Sequence, residues 1–146
     1  MRSPAQHKAQ LLQAKRHATA LLAKTPSAQV LHLYEVAAFP QSFQPHWQAF
    51  MRIDHSTGKV WRPHHDGTDR ATWITAVLTH RTFPLRATLF LLPVAVDLEI
   101  MHPNWLLELD EQCRWFDVVL HLEGGDVVAF SDGEDGLRRL TVNQGD

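Results

Sequence analysis

The apolar positions near the start of the chain follow the repeat of an amphipathic helix. They recur at spacings of three and four residues, at Leu11, Ala14, Ala18, Leu21 and Leu22. Ser3 and Gln6 have the spacing of a capping box, and the proline between them suits the first helical position. Thr25-Pro26 ends the pattern, because a residue that precedes proline disfavours the α region. The sequence therefore predicts a helix over residues 4–24.

Four later segments predict β-strands, and in two of them, residues 28–39 and 115–131, apolar and polar residues alternate with the two-residue period of strands. Residues 28–39 predict one strand, and residues 85–100 predict one or two buried strands interrupted at Pro93. Residues 47–62 predict a hairpin. Residues 115–131 predict a C-terminal hairpin that turns at two consecutive glycines.

A second helix is predicted between these strand segments. Thr68 or Asp69 can cap a helix over residues 71–80, whereas residues 104–112 fit no single type of element. Together the elements predict an α+β fold. We expect the N-terminal amphipathic helix and one or two further helices to pack on a mostly antiparallel sheet, as a single pair of layers.

Composition narrows the class of protein. The chain has 146 residues, 45% of them hydrophobic and 21% charged, which is typical of one soluble globular domain. One cysteine, Cys113, excludes an internal disulfide. The most apolar run, residues 87–96, has half the length that crosses a bilayer, which is about 20 residues. We expect a soluble cytoplasmic protein that is not bound to a membrane and needs no cofactor.

Charge is divided unevenly along the chain. Residues 1–96 contain 11 Lys and Arg against 4 Asp and Glu, whereas residues 97–146 contain 3 against 12. Such asymmetry can mark a docking surface or a nucleic-acid site. Alternatively, the two segments interleave in the fold and attract each other. The sequence alone leaves both interpretations open.

The acidic C-terminal segment carries the leading functional hypothesis. Carboxylates that share one surface would steer a basic partner protein, and tryptophans are frequent anchors in interfaces. This pattern favours a non-catalytic binding or regulatory protein of the toxin-neutralising or adaptor type. The candidate interface residues are Trp105, Asp110, Glu111, Trp115, Asp117, Glu123, Asp126, Asp132, Glu134 and Asp135.

Two other functions remain possible from the sequence. One is a metal-dependent or histidine-based hydrolase that uses residues 54–66, because imidazole and carboxylate groups suit divalent transition metals. Its candidate residues, in a chain with ten histidines, are His64, His65 and Asp66. The other is nucleic-acid binding through basic residues of the first helix and first hairpin. Its candidate contacts are Lys8, Lys15, Arg16, Arg52, Lys59 and Arg62.

Overall fold

The computed structural model describes residues 3–51, 59–61, 69–113, 116–133 and 136–142, and the fold is α+β. The helices are α1 (Pro4–Leu22), α2 (Gln44–Phe50), α3 (Arg70–Thr79) and α4 (Trp105–Gln112). The strands are β1 (Ala28–Glu35), β2 (Lys59–Trp61), β3 (Leu85–Leu91), β4 (Val94–Ile100), β5 (Val118–Leu122), β6 (Val127–Gly133) and β7 (Gly136–Val142).

All seven strands form one sheet in the order β1-β4-β3-β5-β6-β7-β2. Every neighbouring pair is antiparallel, as the sequence predicted. The segment around Pro93 is a hairpin of β3 and β4. The C-terminal hairpin is present as β5 and β6, and Gly124 and Gly125 supply its turn with φ angles of 101° and 106°. These angles favour glycine because a Cβ atom clashes there.

One face of the sheet is covered by α1, α3 and α4, whose apolar sides form the main core with alternate residues of the strands. The capping box of α1 is formed: Ser3 Oγ accepts from the Gln6 backbone N–H, and the Gln6 side chain accepts from the Ser3 N–H. The α3 helix is capped by Asp69, which accepts from the Thr72 N–H at 2.7 Å. None of the helices in the described ranges is long and apolar enough to cross a membrane.

The opposite face of the sheet carries α2, and this corrects two expectations. The predicted hairpin over residues 47–62 is wrong, because Gln44–Phe50 is helical and β2 pairs with β7 instead. Phe43, Trp47 and Phe50 are spaced by four and three residues, so a helix presents all three to the sheet. Helices therefore lie on both faces rather than in a single pair of layers. Residues 52–58 of the predicted hairpin lie outside the described ranges.

Packing under α2 is aromatic. Phe43 and Phe50 are fully buried. They pack against residues of β5, β6 and β7 whose side chains point away from the main core, namely Val119, Val127, Ala129 and Leu140. Phe39 precedes the helix and lies edge-on to Trp47, with 5.2 Å between ring centroids, and to Phe90, at 5.9 Å. This cluster covers the part of the second face that is formed by β5, β6 and β7. Its boundary on β3 is Phe90.

Candidate functional site

The predicted acidic interface is divided between the two ends of β5. At the start of β5, the Asp132 N–H donates to Asp117 Oδ1 at 3.2 Å, and Arg70 contacts both Asp110 and Asp132. At the other end, Glu123 and Asp126 lie in the turn to β6. The span from Asp117 to Glu123 is about 20 Å along an extended strand. The acidic residues of the C-terminal segment therefore form two groups.

Arginines from the first part of the chain pair with several of these acids. Arg70 binds Asp110 through two hydrogen bonds, from Nε at 3.1 Å and from Nη2 at 2.8 Å. Its Nη2 also donates to Asp132 at 2.9 Å, and Arg81 donates to Asp126 at 2.7 Å. The basic and acidic segments thus interleave in the fold. Three acids of the segment are exposed: Glu111 at the end of α4, and Asp117 and Glu123 beside β5.

Trp105 is not an exposed anchor, contrary to the expectation from the sequence. Its side chain is fully buried in the main core, and its indole N–H donates to the Thr25 hydroxyl at 3.2 Å. Burial follows because α4 turns this residue towards the sheet between α1 and α3. Trp115, Glu134 and Asp135 lie outside the described residues.

The residues of the two alternative functions are mostly outside the described ranges, as His64, His65, Asp66, Arg52 and Arg62 all are. Lys59 lies in β2, opposite Arg139 of β7. The basic residues Lys8, Lys15 and Arg16 lie on α1. Among the side chains that the structure describes, no group of three or more His, Cys, Asp or Glu could hold a metal ion.

The structure brings together a polar site that the sequence did not suggest. On the second face of the sheet, α2 covers β6, β7 and the start of β5, and the described residues leave β1, β4, β3 and the end of β5 open. We call this surface the open face. It consists of Gln29, His32, Tyr34, Arg86, Thr88, Asp97, Glu99, His121 and Glu123.

Four residues of the open face form a row across four strands. His32 of β1 lies opposite Asp97 of β4, Asp97 lies opposite Thr88 of β3, and Thr88 lies opposite His121 of β5. Residues paired in this way have Cβ atoms about 5 Å apart, so their side chains interact. The row therefore places a carboxylate between two imidazoles and beside a hydroxyl.

Asp97 is the centre of the hydrogen bonding in this row. Its Oδ1 atom accepts from the Thr88 hydroxyl at 2.8 Å and from the Tyr34 hydroxyl at 3.1 Å. Tyr34 also stacks on His32, with 5.4 Å between ring centroids. Burial, and then the contact with Asp97, raises the pKa of Tyr34 above its usual value. Tyr34 therefore stays protonated and acts as a donor that fixes the carboxylate.

A second row runs beside the first and is mostly charged. Glu99 lies opposite both Gln29 of β1 and Arg86 of β3. The Arg86 guanidinium is 3.7 Å from the Glu99 carboxylate, and the Arg86 backbone N–H donates to Glu123 at 3.3 Å. Counting Asp97 in the first row, the open face carries three carboxylates and one guanidinium.

A cavity of about 420 Å³ lies between the two rows, lined by Arg86, Thr88, Asp97, His121 and Glu123 among others. It is open to solvent, and its charged groups are the carboxylates of Asp97 and Glu123 and the guanidinium of Arg86, so carboxylates outnumber cations. Such a surface can bind cationic groups and hydrogen-bond donors. Cys113 lies elsewhere, after α4, and burial together with nearby carboxylates raises the pKa of its thiol, which makes it a poor nucleophile.

Comparison with known proteins adds no assignment to this site. No family model, no curated protein and no solved structure matches the chain.

Proposed function

We propose that this protein is a non-catalytic binding protein, and that its open face binds a basic segment of another protein. One observation carries the proposal: three carboxylates and one guanidinium share the open face, around a solvent-accessible cavity. The excess of negative charge favours a cationic partner and speeds its association.

The hydrogen bonding of the open face also suits binding. Asp97 is held in place by two hydroxyl donors, so its carboxylate is oriented before a partner arrives. An acceptor that is already oriented loses less conformational entropy on binding. Arg86 offers a guanidinium of its own, which would pair with a carboxylate of the partner and set the register of the bound segment.

This proposal keeps the partner class expected from the sequence and moves the binding surface. The expected surface was the acidic C-terminal surface, where Arg70 and Arg81 already pair with three of the acids. Of the acids named from the sequence, Glu123 belongs to the open face. A role in toxin neutralisation or as an adaptor, and a cytoplasmic location, remain parts of the proposal.

A binding assay with matched variants tests the proposal. The probe is a short, fluorescently labelled peptide rich in arginine and lysine, and the measurement is its dissociation constant at low and at physiological salt. Replacing Glu99 and Glu123 with glutamine removes two negative charges from the open face while preserving side-chain size. We expect the Glu99→Gln, Glu123→Gln double variant to weaken binding about tenfold at low salt.

The control removes the same charge from acids away from the open face. Glu35 contacts His7 of α1 on the opposite face of the sheet, and Glu111 ends α4. The Glu35→Gln, Glu111→Gln double variant should change the affinity by less than about twofold. Equal losses in the two double variants would show that the peptide responds only to net charge, which would contradict a site on the open face.

A further inference from the structure

A second cavity lies beside the open face, where the aromatic cluster of α2 meets the start of β5. Its volume is about 320 Å³, and Phe39, Trp47, Phe90 and Asp117 contribute to its lining. Leu92, in the turn between β3 and β4, and His17 of α1 line it as well. The cavity therefore combines aromatic and aliphatic walls with one carboxylate and one imidazole.

This cavity lies next to the open face along β3. Phe90 follows Thr88 by two residues in β3 and has its side chain on the same face, about 7 Å further along the strand. Val119, which also lines the cavity, lies opposite Phe90 and follows Asp117 by two residues. A peptide lying over the row of Thr88 and Asp97 could therefore place a side chain into the cavity.

The aromatic lining and the carboxylate select for the same kind of ligand. Aromatic rings attract organic cations through their quadrupole, and the attraction increases when the cation is partly desolvated. Asp117 supplies a full negative charge at the rim, where its side chain is exposed. A cation with an aliphatic stem, such as arginine or lysine, satisfies both the apolar walls and the charge.

The molecule already uses its aromatic rings in this way. The Arg138 guanidinium carbon lies 4.6 Å from the ring centroid of Phe50, which is itself 5.8 Å from the Trp47 ring. The Arg139 guanidinium carbon lies 4.7 Å from the centroid of Trp73. These contacts show that guanidinium groups pack on the aromatic rings of this fold, including one in the cluster that lines the cavity.

We infer that this cavity binds the cationic end of an arginine or lysine side chain, which anchors the basic segment on the open face. The inference rests on the proposed function for the source of that side chain. The chemistry of the cavity can be tested without the partner, because a single capped amino acid is sufficient as a probe.

The test compares N-acetyl-arginine amide with N-acetyl-citrulline amide, which has nearly the same shape and no charge. The measurement is the change of the backbone amide NMR signals of Asp117 and Val119 during titration. We expect saturable shifts with the arginine compound and much weaker ones with citrulline. The Asp117→Asn variant should weaken arginine binding about fivefold and leave the citrulline response unchanged.

Asparagine retains an oxygen that can accept from the Asp132 N–H, so this variant keeps the local hydrogen bond. Equal binding of arginine and citrulline compounds to the wild-type protein would overturn the inference, and so would an unchanged affinity in Asp117→Asn. If the proposed function is wrong but this inference is right, the two binding experiments give a different combination of results. In that case the arginine compound binds the cavity, but the basic peptide does not distinguish the Glu99→Gln, Glu123→Gln variant from its control.

Discussion

Arg70 is the residue whose removal tests most clearly how the two charged segments are held together. It donates three hydrogen bonds, two to Asp110 and one to Asp132, at 2.8 to 3.1 Å. Its side chain is 31% exposed, and those of the two aspartates are 13% and 22% exposed. The Arg70→Ala variant removes the guanidinium that both partly buried carboxylates contact.

The expected loss in the free energy of unfolding lies between two known limits. Fully exposed ion pairs contribute at most about 1 kcal/mol, whereas breaking a buried pair costs about 3–5 kcal/mol. For these partly buried partners we expect Arg70→Ala to lower the free energy of unfolding by about 2 kcal/mol. Lysine restores the charge but not the two-pronged contact, so Arg70→Lys should cost about 1 kcal/mol.

The assay is urea unfolding followed by far-ultraviolet circular dichroism, with equal m-values required for the comparison. The control is Arg86→Ala, because the Arg86 side chain is 66% exposed and 3.7 Å from Glu99. This control should cost less than about 0.5 kcal/mol. An Arg70→Ala variant within about 0.5 kcal/mol of the wild type would refute the argument.

Three further predictions concern single groups. Thr25→Val leaves the buried Trp105 N–H without the Thr25 acceptor and should cost about 2 kcal/mol in the same unfolding assay. Trp105→Phe should then cost less in the Thr25→Val background than in the wild type, and equal costs would contradict this coupling. Cys113 should react with iodoacetamide at pH 8 more slowly in the folded than in the unfolded chain, because a raised pKa lowers the thiolate fraction; an equal rate would contradict its burial. The hydrogen bond from the Thr72 N–H lowers the pKa of Asp69 in the folded protein. The ionised Asp69 cap therefore stabilises the fold above the unfolded-state pKa of about 3.9, and this stabilisation is lost as the pH falls through the lower pKa of the folded state. Asp69→Ala should therefore lower the urea midpoint at pH 7, and the difference should narrow in acid.

Local sequence signals predicted the elements whose ends are marked by nearby residues. Ser3 and Gln6 define the start of α1, and the glycines Gly124 and Gly125 define the turn between β5 and β6. The same reasoning failed for α2, where bulky residues at 47–54 fit an alternating pattern equally well. The partner of β2 is β7, which lies near the end of the sequence. No local pattern specifies a pairing over such a long sequence separation.

The open face could not be predicted from the sequence for a related reason. Thr88, Asp97 and His121 are each visible as polar residues within apolar strands. Their alternation with buried neighbours indicates that one side of each strand is not in the main core. However, the sequence does not show that β4, β3 and β5 are adjacent, and only this order brings the three side chains into one row.

The distribution of charge shows the same limit. The sequence established that acids dominate residues 97–146, but their positions depend on the fold. Asp110 and Asp132 meet Arg70 because α3, α4 and the end of β6 converge there. Asp97 and Glu99 instead point to the open face, because alternate residues of β4 face opposite sides of the sheet.

The most direct test of the proposed function is residue-resolved mapping of peptide binding on the wild-type protein. The arginine- and lysine-rich peptide is titrated into isotope-labelled protein, and the backbone amide shifts are followed by NMR. If the open face is the binding surface, the largest shifts will occur at Thr88, Asp97, His121 and Glu123, and they will diminish as salt is added. Shifts confined to the surroundings of Arg70, or no saturable shifts at low salt, would contradict the proposal.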